Sequence, residues 1–216
     1  MLWGRCCGMS FLNKLNDACV RVGRLATTFD SRPVGVKESP LSDYPAQDKP
    51  LVIQINSFKT LVGGRSQLHA RSSYDGVVIN SNGVGSNTAA EGLLNGQVLT
   101  SEIFVLSPQK MGLNPKVLRS SMVTESQKTN DYQFFSNNCV DHVIRPLQQA
   151  GSQINLGLIS TPRDLSEFCE RAVKSGQGIR ISPNEYENAL KNKNSIIHNA
   201  PVSTENIAIQ KAREGR

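Results

Sequence analysis

The sequence predicts an α+β domain, and three observations carry that expectation. Short strand-like runs gather between residues 51 and 106, and helix-periodic runs with capping signals gather between residues 115 and 191. Between two of the strand patterns stands Asp75-Gly76, a pair suited to the tight turn of an antiparallel hairpin.

Residues 1–30 come first. Phe11, Leu12, Leu15, Ala18, Cys19, Val22 and Leu25 recur at helical spacing, with Lys14, Arg21 and Arg24 mostly off that stripe. An amphipathic helix over residues 10–25 serves either to pack against a domain or to contact a membrane surface or a chaperone. Cys6 and Cys7, beside Trp3, are candidates for acylation. Residues 31–50 contain Pro33, Pro40, Pro45 and Pro50 with almost no large apolar side chains, which predicts a linker or disordered tether.

The folded domain is expected over residues 51–191. Strands are predicted at 51–55, 66–71, 76–80 and 98–106, with a loop rich in Gly and Asn at 81–96. The pattern weakens after Met111, leaving a short helix around 115–122. Val140, Val143, Ile144 and Leu147 then give the i, i+3, i+4, i+7 spacing of a helix that Gly151 stops and Pro146 should kink. Thr161-Pro162-Arg163-Asp164 reads as a cap, a first-turn proline and a capping-box partner, opening a helix with Leu165, Phe168, Cys169 and Ala172 inward. Ser182-Pro183-Asn184-Glu185 repeats the device before a helix to about Lys191. The tail, 192–216, is polar and expected to fray, with Ile196 and Ile197 as a late strand.

Composition narrows the function. The 216 residues carry a formal charge of +6, but residues 1–30 hold +2 of it and residues 191–216 hold +3, leaving the centre at +1. A nucleic-acid-binding surface concentrates its basic residues on the folded domain, so that class is disfavoured. Five cysteines, an odd number without a CxxC pair, exclude a disulfide scaffold and a structural zinc site. No metal cluster or phosphate-gripping glycine loop suggests a cofactor. Nowhere does an apolar run approach the roughly 18 residues of a membrane span, and the N-terminus lacks the order of a signal peptide. Export by a route that leaves the N-terminus uncleaved stays open.

Three histidines, His69, His142 and His198, bound any imidazole chemistry. His198 falls in the tail. His142 follows Cys139 by three residues and reads as a core or surface histidine. Cys139 comes after the apolar anchors Tyr132, Phe134 and Phe135 and the polar turn Ser136-Asn137-Asn138. That places it on the first turn of a helix, where unpaired amides and the helix field favour a thiolate. The competing reading is a buried, inert cysteine.

His69-Ala70 ahead of Asp75-Gly76-Val77-Val78-Ile79-Asn80, joined later by Tyr132-Gln133-Phe134-Phe135-Ser136-Asn137-Asn138-Cys139, resembles the circularly permuted papain-like peptidases. These include the permuted NlpC class, the PPPDE deSUMOylating-type peptidases and the LRAT-like acyltransferases. The resemblance covers residues 51–175 and implies a small antiparallel sheet packed on a central helix that carries the nucleophile. It makes Cys139 that nucleophile and His69 its base. Asn80 is the candidate to orient the imidazole as in a Cys, His, Asn arrangement, with Asn82 or no residue as alternatives. The Cys139 amide would serve an oxyanion site, with the Gln67 side chain as a further donor.

The function this implies is thiol-dependent hydrolysis of an amide or isopeptide bond in a protein tail, a ubiquitin-like conjugate or a peptidoglycan stem. LRAT-like lipid acyl transfer or phospholipid hydrolysis is the second enzymatic reading, and an adaptor or interaction module the non-enzymatic one. The long tether, the N-terminal segment and the basic ends are similar to those of a secreted bacterial effector delivered into a target cell.

Overall fold

The structure, a computed structural model, describes residues 35–45, 47–59, 66–80, 98–128, 137–156, 160–192 and 194–197. Cys6, Cys7, the helix expected over 10–25, the loop 81–96, the anchors Tyr132, Phe134 and Phe135, Asn82 and His198 lie outside these residues. The protein is α+β. Its strands are β1 (Leu51–Lys59), β2 (Ser66–Tyr74), β3 (Val77–Ile79), β4 (Val98–Leu106) and β5 (Gly178–Ile181), and its helices α1 (Pro115–Ser126), α2 (Cys139–Gln149), α3 (Pro162–Lys174) and α4 (Pro183–Lys191). They form one antiparallel sheet in the order β3-β2-β1-β4-β5.

Alternation along the central strands divides the apolar residues between two layers. Leu51, Ile53 and Ile55 of β1 join Phe104 and Leu106 of β4 in the main core, against Val143 and Leu147 of α2 and Leu165 of α3. Val52, Ile103 and Val105 face the other way, onto Tyr186 of α4. Both faces of β1 and β4 are therefore covered. This explains why LVIQI is a nearly continuous apolar run rather than a strict alternation.

Local chemistry starts each helix where the sequence predicts. Asn114 caps α1 through the Lys116 and Val117 amides, and Thr161 and Asp164 form a reciprocal capping box on α3. Ser182 accepts from the Glu185 amide at the start of α4. The hairpin turn at Asp75 and Gly76 has φ of 44° and 82°, the two left-handed residues of a type I′ turn.

Four expectations are corrected. The strand predicted at 76–80 ends at Ile79, so Asn80 stands one residue past it. The helix at 115–122 extends to Ser126. Ile196 and Ile197 make a turn instead of a strand, and Ile197, 1% exposed, seals the second layer, so the start of the tail is anchored by apolar burial. The fourth concerns the tether, of which residues 35–45 and 47–50 lie on the domain. The Ser39 amide donates to the Arg180 carbonyl at 2.8 Å, the Leu41 amide to Glu185 at 2.5 Å, and the Tyr44 hydroxyl to the Leu106 carbonyl at 3.2 Å. Tyr44 is 3% exposed. One buried aromatic and a few main-chain bonds replace the broad apolar surface whose absence suggested disorder.

β5 was not foreseen from the sequence. It pairs with β4 at Leu106↔Gly178, where a Cβ on residue 178 would stand 2.5 Å from the Val105 carbonyl oxygen. Only glycine permits that approach.

Truncating Tyr44 should test whether the 35–50 segment belongs to the domain. Tyr44→Ala is expected to lower the unfolding free energy by about 3 kcal/mol, as for loss of a buried aromatic ring. A chain beginning at residue 51 should unfold at lower urea than the full chain. Unchanged midpoints in both would restore the tether.

Candidate active site

The hairpin brings the first two site residues together. β2 and β3 pair at Ser72↔Ile79, Ser73↔Val78 and Tyr74↔Val77, so extending the register sets Asn80 opposite Arg71, diagonal to His69. All three then share one face by parity. The His69 Nε2 lies 2.7 Å from the Asn80 Oδ1, and both residues are partly exposed. An amide oxygen has no proton to give, so this hydrogen bond requires the proton on Nε2. The ring's second nitrogen, Nδ1, is the one nearer the main chain.

Cys139 occupies the first position of α2. Ahead of it, the Asn138 Oδ1 accepts from the Val140 and Asp141 amides at 2.8 and 3.2 Å, and the Asp141 carboxylate accepts from the Asn138 amide at 3.0 Å. The Asn138 side-chain amide donates to the Ser160 carbonyl at 2.9 Å, tying the start of α2 to the start of α3. The His142 amide bonds the Asn138 carbonyl as the first intrahelical bond. Among the described residues the Cys139 amide has no acceptor. The other three helices have Pro115, Pro162 and Pro183 at this position, which lack the donor altogether.

The sulfur is fixed by a main-chain contact: the Ala70 amide donates to the Cys139 Sγ at 3.5 Å. A strand amide points sideways in the plane of the sheet. On one side of Ala70 lies β1, paired at Ile55, so the sulfur must lie on the other, where β3 has already ended opposite Ser72. The sulfur thus sits at the sheet edge beside the Asn80 end of β3. The Ala70 nitrogen is about 2.4 Å from the His69 Cα by covalent geometry. Sulfur and His69 Cα are therefore within about 6 Å, the reach of one imidazole. Alternation turns the Ala70 side chain into the main core and the His69 ring to the opposite face, with Asn80. Cys139 packs in that main core with Ala70. Cys139 is itself only 5% exposed.

His142 is a core residue, 1% exposed. Its Nδ1 lies 2.7 Å from the Glu125 Oε1. Burial pushes the imidazole below its ordinary range, the Glu125 carboxylate opposes that, and the Arg145 charge reinforces it. Cys169, fully buried on α3, has its thiol pushed well up by burial and by Glu102. Gln67 lies in β2, but its side chain is outside the described residues. No local sequence pattern points to the buried Glu125, which accepts from Arg145 and Lys128 in addition to its contact with His142. An isolated Glu near the end of a predicted helix carries no local signal.

The chain matches no family model, no curated protein and no solved structure. Its chemistry rests on its own geometry. Among the described residues no cluster of His, Cys, Asp and Glu could hold a metal ion, and no helix is long and apolar enough to cross a membrane.

Two outcomes follow from these environments. In the native protein at neutral pH, iodoacetamide should modify Cys139 well before Cys169, as mapped on digested peptides by mass spectrometry; equal rates would count against a reactive Cys139. The second concerns pH. Since the folded state holds the His142 pKa below its ordinary 6.5, acidification lets the unfolded chain bind a proton that the folded chain refuses. Stability should therefore fall as pH drops through about 6.5, and His142→Gln should flatten that slope in urea titrations between about pH 7 and 5.

Proposed function

We propose that the protein is a cysteine-dependent hydrolase of amide or isopeptide bonds, built on a permuted papain-like arrangement with Cys139, His69 and Asn80 as its catalytic group. One observation carries the reading. The sulfur at the head of α2 is held on the Ala70 amide, next to a histidine whose Nε2 is bound by the Asn80 side chain. The three residues come from β2, from the residue after β3 and from the head of α2.

The chemistry follows from these positions. With Asn80 holding Nε2–H, the His69 Nδ1 takes the thiol proton while the Ala70 amide holds the sulfur. The thiolate attacks the carbonyl carbon of the scissile bond. The Cys139 amide, unused by the helix, donates to the oxygen as it becomes anionic. The imidazolium then protonates the leaving amine, whose bond to carbon breaks to leave a thioester on Cys139. Water, deprotonated by His69, attacks that thioester; the acid leaves and the thiol is restored.

The substrate class within this reading is a protein tail, a ubiquitin-like junction or a peptidoglycan stem, and delivery into a target cell fits the basic ends of the chain. Lipid acyl transfer would use the same residues with an ester as donor.

A panel of peptidyl coumarin amides, isopeptide-linked conjugates and phospholipid vesicles tests the reading. Turnover of an amide substrate is expected, with a thioester on Cys139 trapped by acid quench. Cys139→Ala should abolish turnover in a folded protein, and Asn80→Ala should lower kcat about 10- to 100-fold with KM nearly unchanged. Full activity in Cys139→Ala would overturn the mechanism, and turnover of vesicles alone would transfer the protein to the acyltransferases.

A further inference from the structure

We propose that Gln54 and Asn56 of β1 form a subsite on the face of the His69 ring for a substrate side chain that ends in a carbonyl oxygen, as those of glutamate and glutamine do. The effect on turnover rests on the hydrolase reading above; the binding role does not.

Sheet register places these residues. Gln54 pairs with Arg71 and Asn56 with His69, so their side chains share the face that His69 and Asn80 occupy. A polar side chain on a covered sheet face is costly to bury unless its atoms are bonded. Gln54 is 5% exposed and Asn56 7% exposed, yet each is bonded through its oxygen alone. The Arg71 Nε donates to the Gln54 Oε1. Arginine has no acceptor, so this bond fixes which end of the amide faces it and leaves the Gln54 Nε2 for another partner. The Ser101 hydroxyl donates to the Asn56 Oδ1 at 2.5 Å, which leaves the Asn56 Nδ2 in the same condition. Among the described residues neither nitrogen has an acceptor, and neither is one of the fully buried atoms without a partner. What little exposure the two residues keep therefore includes their donors.

Beside Gln54 and Arg71 lies a partly open cavity walled by Val52, Val78 and Tyr186, with room for about one water-sized group. The polar atoms that Gln54 and Arg71 bring to it are donors, because the amide oxygen is taken and a guanidinium has no acceptor. One oxygen fits both the size and the polarity. An ammonium would bring donors to donors, and a methyl group would forfeit the bond. Asn56 stands two residues along the strand, about 7 Å away, and is the pair partner of His69. That separation matches the reach of one extended glutamyl residue from its side-chain oxygen to its main-chain oxygen.

The full-length protein can be tested with acetylated peptidyl coumarin amides that carry Glu, Gln, Met or Lys at each of the three residues on the acyl side. At one of those positions Glu and Gln should raise kcat/KM about tenfold or more over Met, a near-isostere without the acceptor, with Lys lowest. Gln54→Glu keeps an acceptor for Arg71 but puts an oxygen in place of the donor. It should slow the Glu peptide by about tenfold or more while the Met peptide stays within about twofold of the parent protein. Asn56→Asp keeps the acceptor for Ser101 and should raise KM with little change in kcat. In Cys139→Ala protein, acetyl-glutamyl methylamide should shift the side-chain amide resonances of Gln54 and Asn56 in NMR spectra, and acetyl-methionyl methylamide should not.

Equal kcat/KM for Glu, Gln and Met at all three positions would overturn the subsite. So would a Gln54→Glu protein that handles the Glu peptide as the parent does, or a glutamyl methylamide that leaves both amide resonances in place. Resonance shifts in a protein whose parent hydrolyses none of the peptides would defeat the hydrolase reading and leave the subsite standing.

Discussion

The early end of β3 is the constraint on which the site depends. Three residues pair with β2, and the next amide of β2 on that side, at Ala70, meets a sulfur where a carbonyl would ordinarily stand. Main-chain donors inside a protein demand acceptors. A sheet that stops short therefore creates a place for an outside group, and the first residue of α2 supplies it. The same truncation leaves Asn80 just past the ladder, with its side chain on His69. One shortened strand positions both halves of the candidate site.

The helix starts show how the chain treats an otherwise wasted donor. Among the described residues, three of the four α-helices place proline at the first position, deleting an amide that the helix cannot use. α2 keeps the amide and puts Cys139 there, while Asn138 takes the next two amides. In the proposed mechanism a cap that consumed every donor would leave nothing for the substrate oxygen, and an uncapped start would be poorly fixed. The helix satisfies the amides it must and retains the one adjoining the sulfur.

Much of this was legible in the sequence because it depends on short-range chemistry. Asp-Gly in a hairpin, proline after a capping residue and helical spacing in 140–147 each act within a few residues. The β4 boundaries at Val98 and Leu106 came directly from the apolar run closed by Ser107-Pro108. The pairing of His69 with Asn80 was an implication of the family resemblance, with Asn82 as an alternative, and Asn80 stands one residue beyond the regular strand. What could not be read depends on distant partners. β5 has only four residues, and its pairing with β4 requires a glycine whose reason is the Val105 carbonyl. Leu41 and Tyr44 are apolar residues scattered among prolines, and nothing nearby indicates that β1, β4 and α4 will receive them. The Glu125, Arg145 and Asn137 contacts span α1 and α2, so no local pattern announces them.

The Asp75-Gly76 turn gives the hairpin a counting function. Because its two residues hold φ of 44° and 82°, Tyr74 faces Val77, and every later pair is set by that match. A slip by one would exchange the faces of β3, bringing Ile79 rather than Asn80 to the side of the histidine. The turn lies at the far end of the hairpin from the sulfur, and its Asp75 is braced by Lys49 and Arg119 at 2.7 and 3.2 Å. A lesion at Gly76 would thus present as a fault in imidazole orientation, with the sulfur, the ring and the amide all chemically intact and merely out of phase.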